Sequence, residues 1–255
     1  MSRLNNNQKN NSDLADIDVV VLAGGLGTRI QPVLGDVPKL LAPINDRTYL
    51  DYLFEWLAGF GARRIILSLG HLADRIIKHV EANPYPGLTI DTIIEDAPRG
   101  TAGALRLVRP TINAPNALVM NGDSWIGADL AKFMAAHRAT GASATLLCVH
   151  VDESGRFGRV DVDQNNKITA FREKMDSGGP GLINAGVYAF STAGWDMIDA
   201  LEGPSLERDV FGVQPSSTLA AYDAGTVPFI DIGTPESLAI AAQVIGLKAD
   251  TAGDT

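Results

Sequence analysis

Val19-Val-Val-Leu-Ala-Gly-Gly-Leu-Gly-Thr-Arg29 runs from an apolar strand pattern into three glycines within four positions, and Val37-Pro-Lys39 follows shortly after. Glycines let backbone N–H groups approach an anion, because no side chain stands between them and its oxygens. An Arg and a Lys beside such a nest suit a polyphosphate rather than a single phosphate. The stretch therefore predicts a strand, a phosphate-cradling turn and a nucleoside triphosphate as ligand. A Rossmann dinucleotide turn counted from Gly25 and Gly27 requires glycine at position 30, where Ile30 stands. A Walker loop requires a Gly-Lys pair, and the chain has none. An ordinary glycine-rich turn without a ligand is the bland alternative.

Composition narrows the partners. With 21 Lys plus Arg against 30 Asp plus Glu, the net charge of −9 argues against nucleic acid, which calls for a basic face. Positive charge for phosphates must then be local, as Arg29 and Lys39 provide. The lone Cys148 excludes an internal disulfide framework and a Cys-rich zinc site, and its apolar surroundings suit a buried small hydrophobe. No apolar stretch reaches the roughly 18 to 20 residues of a membrane span, and the asparagine-rich start lacks the apolar region of a signal peptide. The expectations are a cytoplasmic protein with no membrane partner, a disordered leader over 1–16 and a disordered tail over 248–255. Oligomeric state stays open, a homodimer included.

Between these ends, 17–247 reads as one domain. Ile17–Leu22, Arg64–Leu69, Leu88–Ile94, Ala117–Met120 and Ser143–Val149 have the apolar, β-branched texture of buried parallel strands. Leu50, Leu53, Phe54 and Leu57 place an amphipathic helix over Thr48 to Phe60, stopped by Gly61. Leu72, Ile76 and Val80 mark a second helix. This alternation predicts an α/β fold with a mostly parallel, mixed sheet flanked by helices. Past residue 150 the texture changes: Phe157–Asp163 and Lys167–Phe171 flank Gln164-Asn-Asn166 as an inserted β-hairpin, and Leu182–Phe190 is a further strand. Thr234-Pro235-Glu236 opens a last helix.

In parallel sheets ligands gather beyond the carboxyl ends of the strands, where Asn121-Gly-Asp123 falls together with the glycine turn. Magnesium takes one or two protein carboxylates and fills its other positions with water and phosphate oxygens. Asp123 and, in Ile230-Asp-Ile-Gly-Thr234, Asp231 are candidate ligands for Mg2+; an isolated turn aspartate with no metal is the alternative for either.

Six motifs in order now carry a resemblance over residues 17 to about 245. LAGGLGTR with Pro38-Lys39, Glu95-Asp-Ala-Pro-Arg-Gly-Thr-Ala-Gly103, Asn121-Gly-Asp123, Glu173-Lys174, Asn184-Ala-Gly186 and Asp231-Ile-Gly-Thr234 resemble the sugar-nucleotidyltransferases, which join an NTP to a sugar 1-phosphate. The resemblance implies a Rossmann-like, GT-A-like core with a nucleotide half over about 17–150 and a sugar-phosphate half over about 151–247. It implies nucleotide contacts from Leu22, Ala23, Gly24, Gly25, Gly27, Thr28, Arg29, Glu95, Gly100 and Thr101. Arg29 and Lys39 would grip the triphosphate, and Asp123 and Asp231 would hold magnesium. Lys174 would contact the phosphate of the sugar 1-phosphate, while Asn121, Gly158, Glu173, Asn184 and Glu207 would line its sugar site. Two positions depart from the pattern: Arg99 stands where many members have Leu, and Met175 where Pro is usual.

A sugar 1-phosphate is already ionised near neutral pH, so the reaction needs charge neutralisation and alignment rather than a general base. Glu95 faces the nucleobase in the resemblance. One carboxylate accepts both the N1–H and the N2 amino group of guanine, which favours GTP; a carboxylate bonded only to backbone in its own turn is the alternative. Asp36-Val-Pro-Lys39, Leu41-Ala-Pro-Ile-Asn-Asp46, Gly70-His71 and Ser205-Leu-Glu-Arg-Asp-Val210 look most like the D-glycero-D-manno-heptose 1-phosphate guanylyltransferases. Hexose 1-phosphate enzymes, such as mannose 1-phosphate guanylyltransferases or an N-acetylmuramate 1-phosphate uridylyltransferase, come next, with the absence of a long C-terminal extension set against bifunctional members. A non-catalytic nucleotide sensor would be expected to lose Arg29, Lys39 or a metal carboxylate. His71 follows a strand and is read as a turn residue, with the sugar pocket as the functional alternative; Trp56 and Trp195 are read as packing.

Overall fold

The computed structural model describes residues 14–172, 178–214 and 218–246. The first part of the chain forms β1 (Asp18–Ala23), α1 (Gln31–Leu34), β2 (Pro43–Ile44), β3 (Arg47–Thr48), α2 (Tyr49–Gly59), β4 (Arg64–Leu69), α3 (Ala73–Ala82) and β5 (Thr89–Ile94). Next come α4 (Gly100–Val108), β6 (Asn116–Asn121), β7 (Ser124–Ile126), α5 (Leu130–Thr140) and β8 (Ala144–Val151). The remainder forms β9 (Arg159–Val162), β10 (Ile168–Arg172), β11 (Gly181–Ser191), α6 (Thr192–Ala200), β12 (Leu219–Asp223), β13 (Phe229–Asp231) and α7 (Pro235–Gly246).

Every strand and helix named from the sequence is present, with ends moved by a residue or two. Thr48 caps α2 reciprocally: its Oγ1 accepts from the Asp51 N–H at 3.3 Å, and Asp51 Oδ2 accepts from the Thr48 N–H at 2.8 Å. Gly61, at φ +85°, then turns the chain out of the helix. Four helices, α1, α4, α5 and α6, go beyond what the sequence pattern predicts. Gly100 and Gly103 mask α4, but Ala102, Leu105 and Val108 are fully buried on one side of it, and that packing outweighs weak intrinsic propensity.

β1 sits mid-sheet, parallel to β4 on one side and β6 on the other, and β5 continues beyond β4. The opposite side is mixed: β11 pairs antiparallel with β6 and β8, β12 runs parallel to β8, and the β9–β10 hairpin joins the sheet through Ile183. Side chains alternate across β1, so Val19 and Val21 enter one core and Val20 the other, all fully buried. Each such burial contributes on the order of 2 kcal/mol. α2, α3, α5 and α7 cover the first face; α4 and α6 cover the second. Cys148, Trp56 and Trp195 are buried, as packing residues should be.

Leu14, within the span expected as a leader over 1–16, is fully buried, and its N–H donates to the Phe60 carbonyl at 3.1 Å. Residues 1–13 and the tail expected over 248–255 lie outside the described residues. Among the described residues, no helix is long and apolar enough to cross a membrane.

Candidate active site

Each of the three adjacent parallel strands β1, β6 and β4 ends in a glycine: Gly24, Gly122 and Gly70. Close approach requires all three. A Cβ on Gly70 would lie 2.6 Å from the Gly24 carbonyl oxygen, and one on Gly122 would lie 2.8 Å from that of Leu22. A Cβ on Gly24 would run into the Glu95 carboxylate. Bare backbone thus floors a cavity of about 370 Å³ at the carboxyl edge of the sheet. Leu22, Ala23, Gly24, Gly25 and Gly27 form one wall, Lys39 and Asp123 another, and Glu95, Gly100 and Thr101 a third. Leu72 completes the rim at φ +60°, a conformation rare outside glycine that tends to persist at functional sites.

Glu95 serves its own turn as well as the cavity. Its Oε2 accepts from the Arg99 N–H at 3.0 Å, just ahead of α4, and the residue also lines the cavity. Thr28 and Arg29 are exposed and do not line this cavity. The Arg29 guanidinium lies beside Gly233 and favours ionisation of Asp231. His71 lines the first cavity rather than the neighbouring one.

The neighbouring cavity, of about 260 Å³, shares Asn121 with the first. Gly158, Asn184, Glu207 and Asp231 line it, together with Arg156, Phe157 and Phe171. β11 changes register between Asn184 and Val187, and Gly186 takes φ +73° at this bulge. The Gly186 N–H donates to Asn184 Oδ1 at 3.0 Å, which fixes the amide that faces the cavity. Glu207 arrives from a single π turn, Leu206–Val210. Tyr188 and Arg156 belong to this surround and have no signal in the sequence. Glu173 and Lys174 lie outside the described residues.

At the seam between the cavities the carboxylates converge. β13 pairs antiparallel with β7, setting Asp231 opposite Ser124, and the Ile232 N–H donates to the Asp123 carbonyl at 2.9 Å. Lys39 Nζ bonds Asp123 Oδ2 at 2.8 Å. Burial raises the Asp231 carboxyl above its ordinary range and the nearby Asp123 adds to the rise; Lys39, the Gly233 N–H and Arg29 oppose it. Two carboxylates that disfavour each other's charge fit a divalent cation, which would relieve both. Among the described residues no group of three or more His, Cys, Asp or Glu side chains gathers to hold a metal, at the seam or elsewhere. Phosphate oxygens and water would have to complete the shell, as magnesium commonly allows.

A family model for nucleotidyl transferases matches residues 18–246, from the start of β1 to the end of α7. The chain belongs to the nucleotidyl transferase family. Among curated relatives of this nucleotidyl transferase, the D-glycero-alpha-D-manno-heptose 1-phosphate guanylyltransferase of Aneurinibacillus thermoaerophilus is 31% identical, covering 86% of this chain and 94% of the relative. The mannose-1-phosphate guanylyltransferase of Mycobacterium tuberculosis is 33% identical over 86% of this chain, which spans 62% of that enzyme's length. Among solved structures, HddC from Yersinia pseudotuberculosis complexed with GMP-PN superimposes with a TM-score of 0.77 at 36% identity, covering 89% of this chain and 98% of HddC. A glucose-1-phosphate thymidylyltransferase fold from Bacillus anthracis, 21% identical, matches with a TM-score of 0.75. The sheet, the flanking helices and the family expected from the motifs are those found.

Proposed function

We propose that this nucleotidyltransferase moves a guanylyl group from GTP to a sugar 1-phosphate, with D-glycero-D-manno-heptose 1-phosphate as the first candidate. The carrying observation is the Lys39–Asp123 pair with Asp231, set at the seam of two cavities that share Asn121. In this reading the first cavity takes the nucleotide and the second the sugar phosphate. Guanine is supported by Glu95 at the first cavity and by a relative solved with GMP-PN.

The sugar phosphate oxygen attacks the α-phosphorus of GTP, forming a new P–O bond as the bond to the β-phosphate oxygen breaks. Pyrophosphate leaves with that electron pair. Two polyanions must meet, so the chain's task is to neutralise charge and hold the line of attack. Backbone N–H groups of Gly24 to Gly27 and the side chains of Arg29 and Lys39 would hold the triphosphate, with Thr28, Gly100 and Thr101 beside it. Asp123 and Asp231 would hold Mg2+, whose contribution when bound is added positive charge on the phosphates. Asn121, Gly158, Asn184 and Glu207 would take sugar hydroxyls, and Glu173 and Lys174 would complete that site at the phosphate.

Mannose 1-phosphate is the second candidate, supported by the 33% identity to a mannose-1-phosphate guanylyltransferase. A nucleotide sensor without activity fits less well, because Arg29, Lys39, Asp123 and Asp231 are all present. Pyrophosphate release over a panel of NTPs and sugar 1-phosphates, with magnesium and with chelator, tests the reading. Turnover is expected with GTP and a manno-configured sugar 1-phosphate, and loss of it with chelator. Silence across the panel would favour the sensor.

A further inference from the structure

One hydrogen-bonded chain passes from the first cavity to the second through the protein interior. Thr101, in the wall of the first cavity, donates from Oγ1 to Glu207 Oε2 at 3.2 Å and accepts from the Leu206 N–H at 2.8 Å. Glu207 Oε1 accepts from the Tyr188 hydroxyl at 3.0 Å, and that hydroxyl accepts from Asn184 Nδ2 at 2.8 Å. Ser205 Oγ also donates to Glu207 Oε2, at 3.2 Å. Both carboxylate oxygens are therefore held by protein donors, which fixes the plane of the group. Tyr188 is fully buried and lines neither cavity. Burial and the Glu207 charge push its phenol far above the ordinary range, so it remains a donor.

We infer that Tyr188 and Thr101 are positioning residues that join the two substrate sites into one unit. A nucleotide bearing on the start of α4 restrains Thr101; Thr101 restrains Glu207; Glu207, squared with Asn184 through Tyr188, meets the sugar 1-phosphate already oriented. Ordering these groups beforehand lowers the cost of binding the second substrate, and it links the affinities of the two sites. The inference rests on the assignment of the two cavities proposed above.

The experiment compares the wild type with Tyr188→Phe, Thr101→Val and Thr101→Ser, using GTP, magnesium and whichever of heptose 1-phosphate or mannose 1-phosphate the wild type turns over. Tyr188→Phe should raise the KM of the sugar 1-phosphate about tenfold, the scale of a lost bond to a charged group, while the KM of GTP and kcat hold within about twofold. Thr101→Val should raise the KM of both substrates, and Thr101→Ser should restore both. A merely structural role would instead lower the melting temperature and kcat together and leave both KM values in place. An unchanged sugar-phosphate KM in Tyr188→Phe, or a KM rise in Thr101→Val confined to GTP, would overturn the inference while the functional reading stands. No turnover by the wild type on any pair would overturn both.

Discussion

The cavity at the ends of β1, β4 and β6 is floored by backbone, whereas its neighbour is walled largely by side chains drawn from seven separate segments. In the first, a Cβ on Gly70 or Gly122 would strike the backbone of β1's carboxyl end, and one on Gly24 would strike the Glu95 carboxylate. In the second, Asn121, Gly158, Asn184, Glu207 and Asp231 come from β6, the hairpin approach, β11, the π turn and β13. A backbone floor suits a ligand part that is the same in every relative, such as a triphosphate. Side-chain walls suit the part that varies, because one substitution changes one contact. The difference teaches where this chain should be fragile and where it should be adaptable.

The harshest test lies at the seam that both cavities share. Asp123→Ala should lower kcat by about two to three orders of magnitude, the scale of losing one preorganised charge in a phosphoryl-transfer site. Initial rates of pyrophosphate release check it, and a near-wild-type rate with magnesium present would remove the carboxylates from the chemistry. Gly70→Ala alters no side chain in the wall of either cavity, yet its methyl group would press on the Gly24 carbonyl. A displacement of that kind should raise the KM of GTP by about ten- to a hundredfold and leave that of the sugar 1-phosphate alone. Asn184→Ala should show the mirror image, an effect of about tenfold confined to the sugar 1-phosphate. If Gly70→Ala and Asn184→Ala each moved both KM values equally, the contrast between the two cavities would be broken.

That contrast also explains what is legible in the sequence. The first cavity comes from consecutive residues: an apolar strand, its glycines and a cation announce their geometry because backbone shape is local. Lys39 and Asp123 follow from local patterns, Glu95 and Thr101 from the family resemblance, and all four line that cavity. Thr28 and Arg29 belong to the same motif but are not among the residues lining it, since a turn's side chains can face either way. Around the second cavity, Asn184 and Glu207 are legible only through family resemblance. Tyr188 is not legible at all: it is an aromatic residue in an apolar strand, and its function depends on a carboxylate 19 residues away. α4 escapes notice for a related reason, because burial of Ala102, Leu105 and Val108 makes it a helix despite two glycines.

The smallest expected effect separates the two sides of the sheet by acid. His137 on α5 is 2% exposed, and its Nδ1 lies 2.8 Å from Thr145 Oγ1 on β8, the strand that pairs with β11. Burial pushes its imidazole down to about 4, with the Arg138 charge adding to the shift. The folded chain therefore keeps this residue neutral while the unfolded chain takes up a proton near 6.5, so stability falls as pH drops from 6.5 toward 4. At pH 5 the loss is about 2 kcal/mol. Asp18, at the start of β1, behaves in a different window. Burial alone would raise its carboxyl, but the N–H groups of Asn113 and Ala114 and the Arg64 guanidinium outweigh that and hold it below 3.8. Its contribution is intact above 3.8 and is lost only as pH falls through the folded value. Acidification to pH 5 should thus loosen α5 and β8 before β1, which hydrogen exchange at those amides would resolve. The unfolding free energy lost between pH 7 and pH 5, read from denaturant titrations, should be smaller in His137→Gln than in the wild type by about 2 kcal/mol. An equal loss in both proteins would mean that the acid response arises elsewhere, and β1 exchanging first would reverse the order of the two sides.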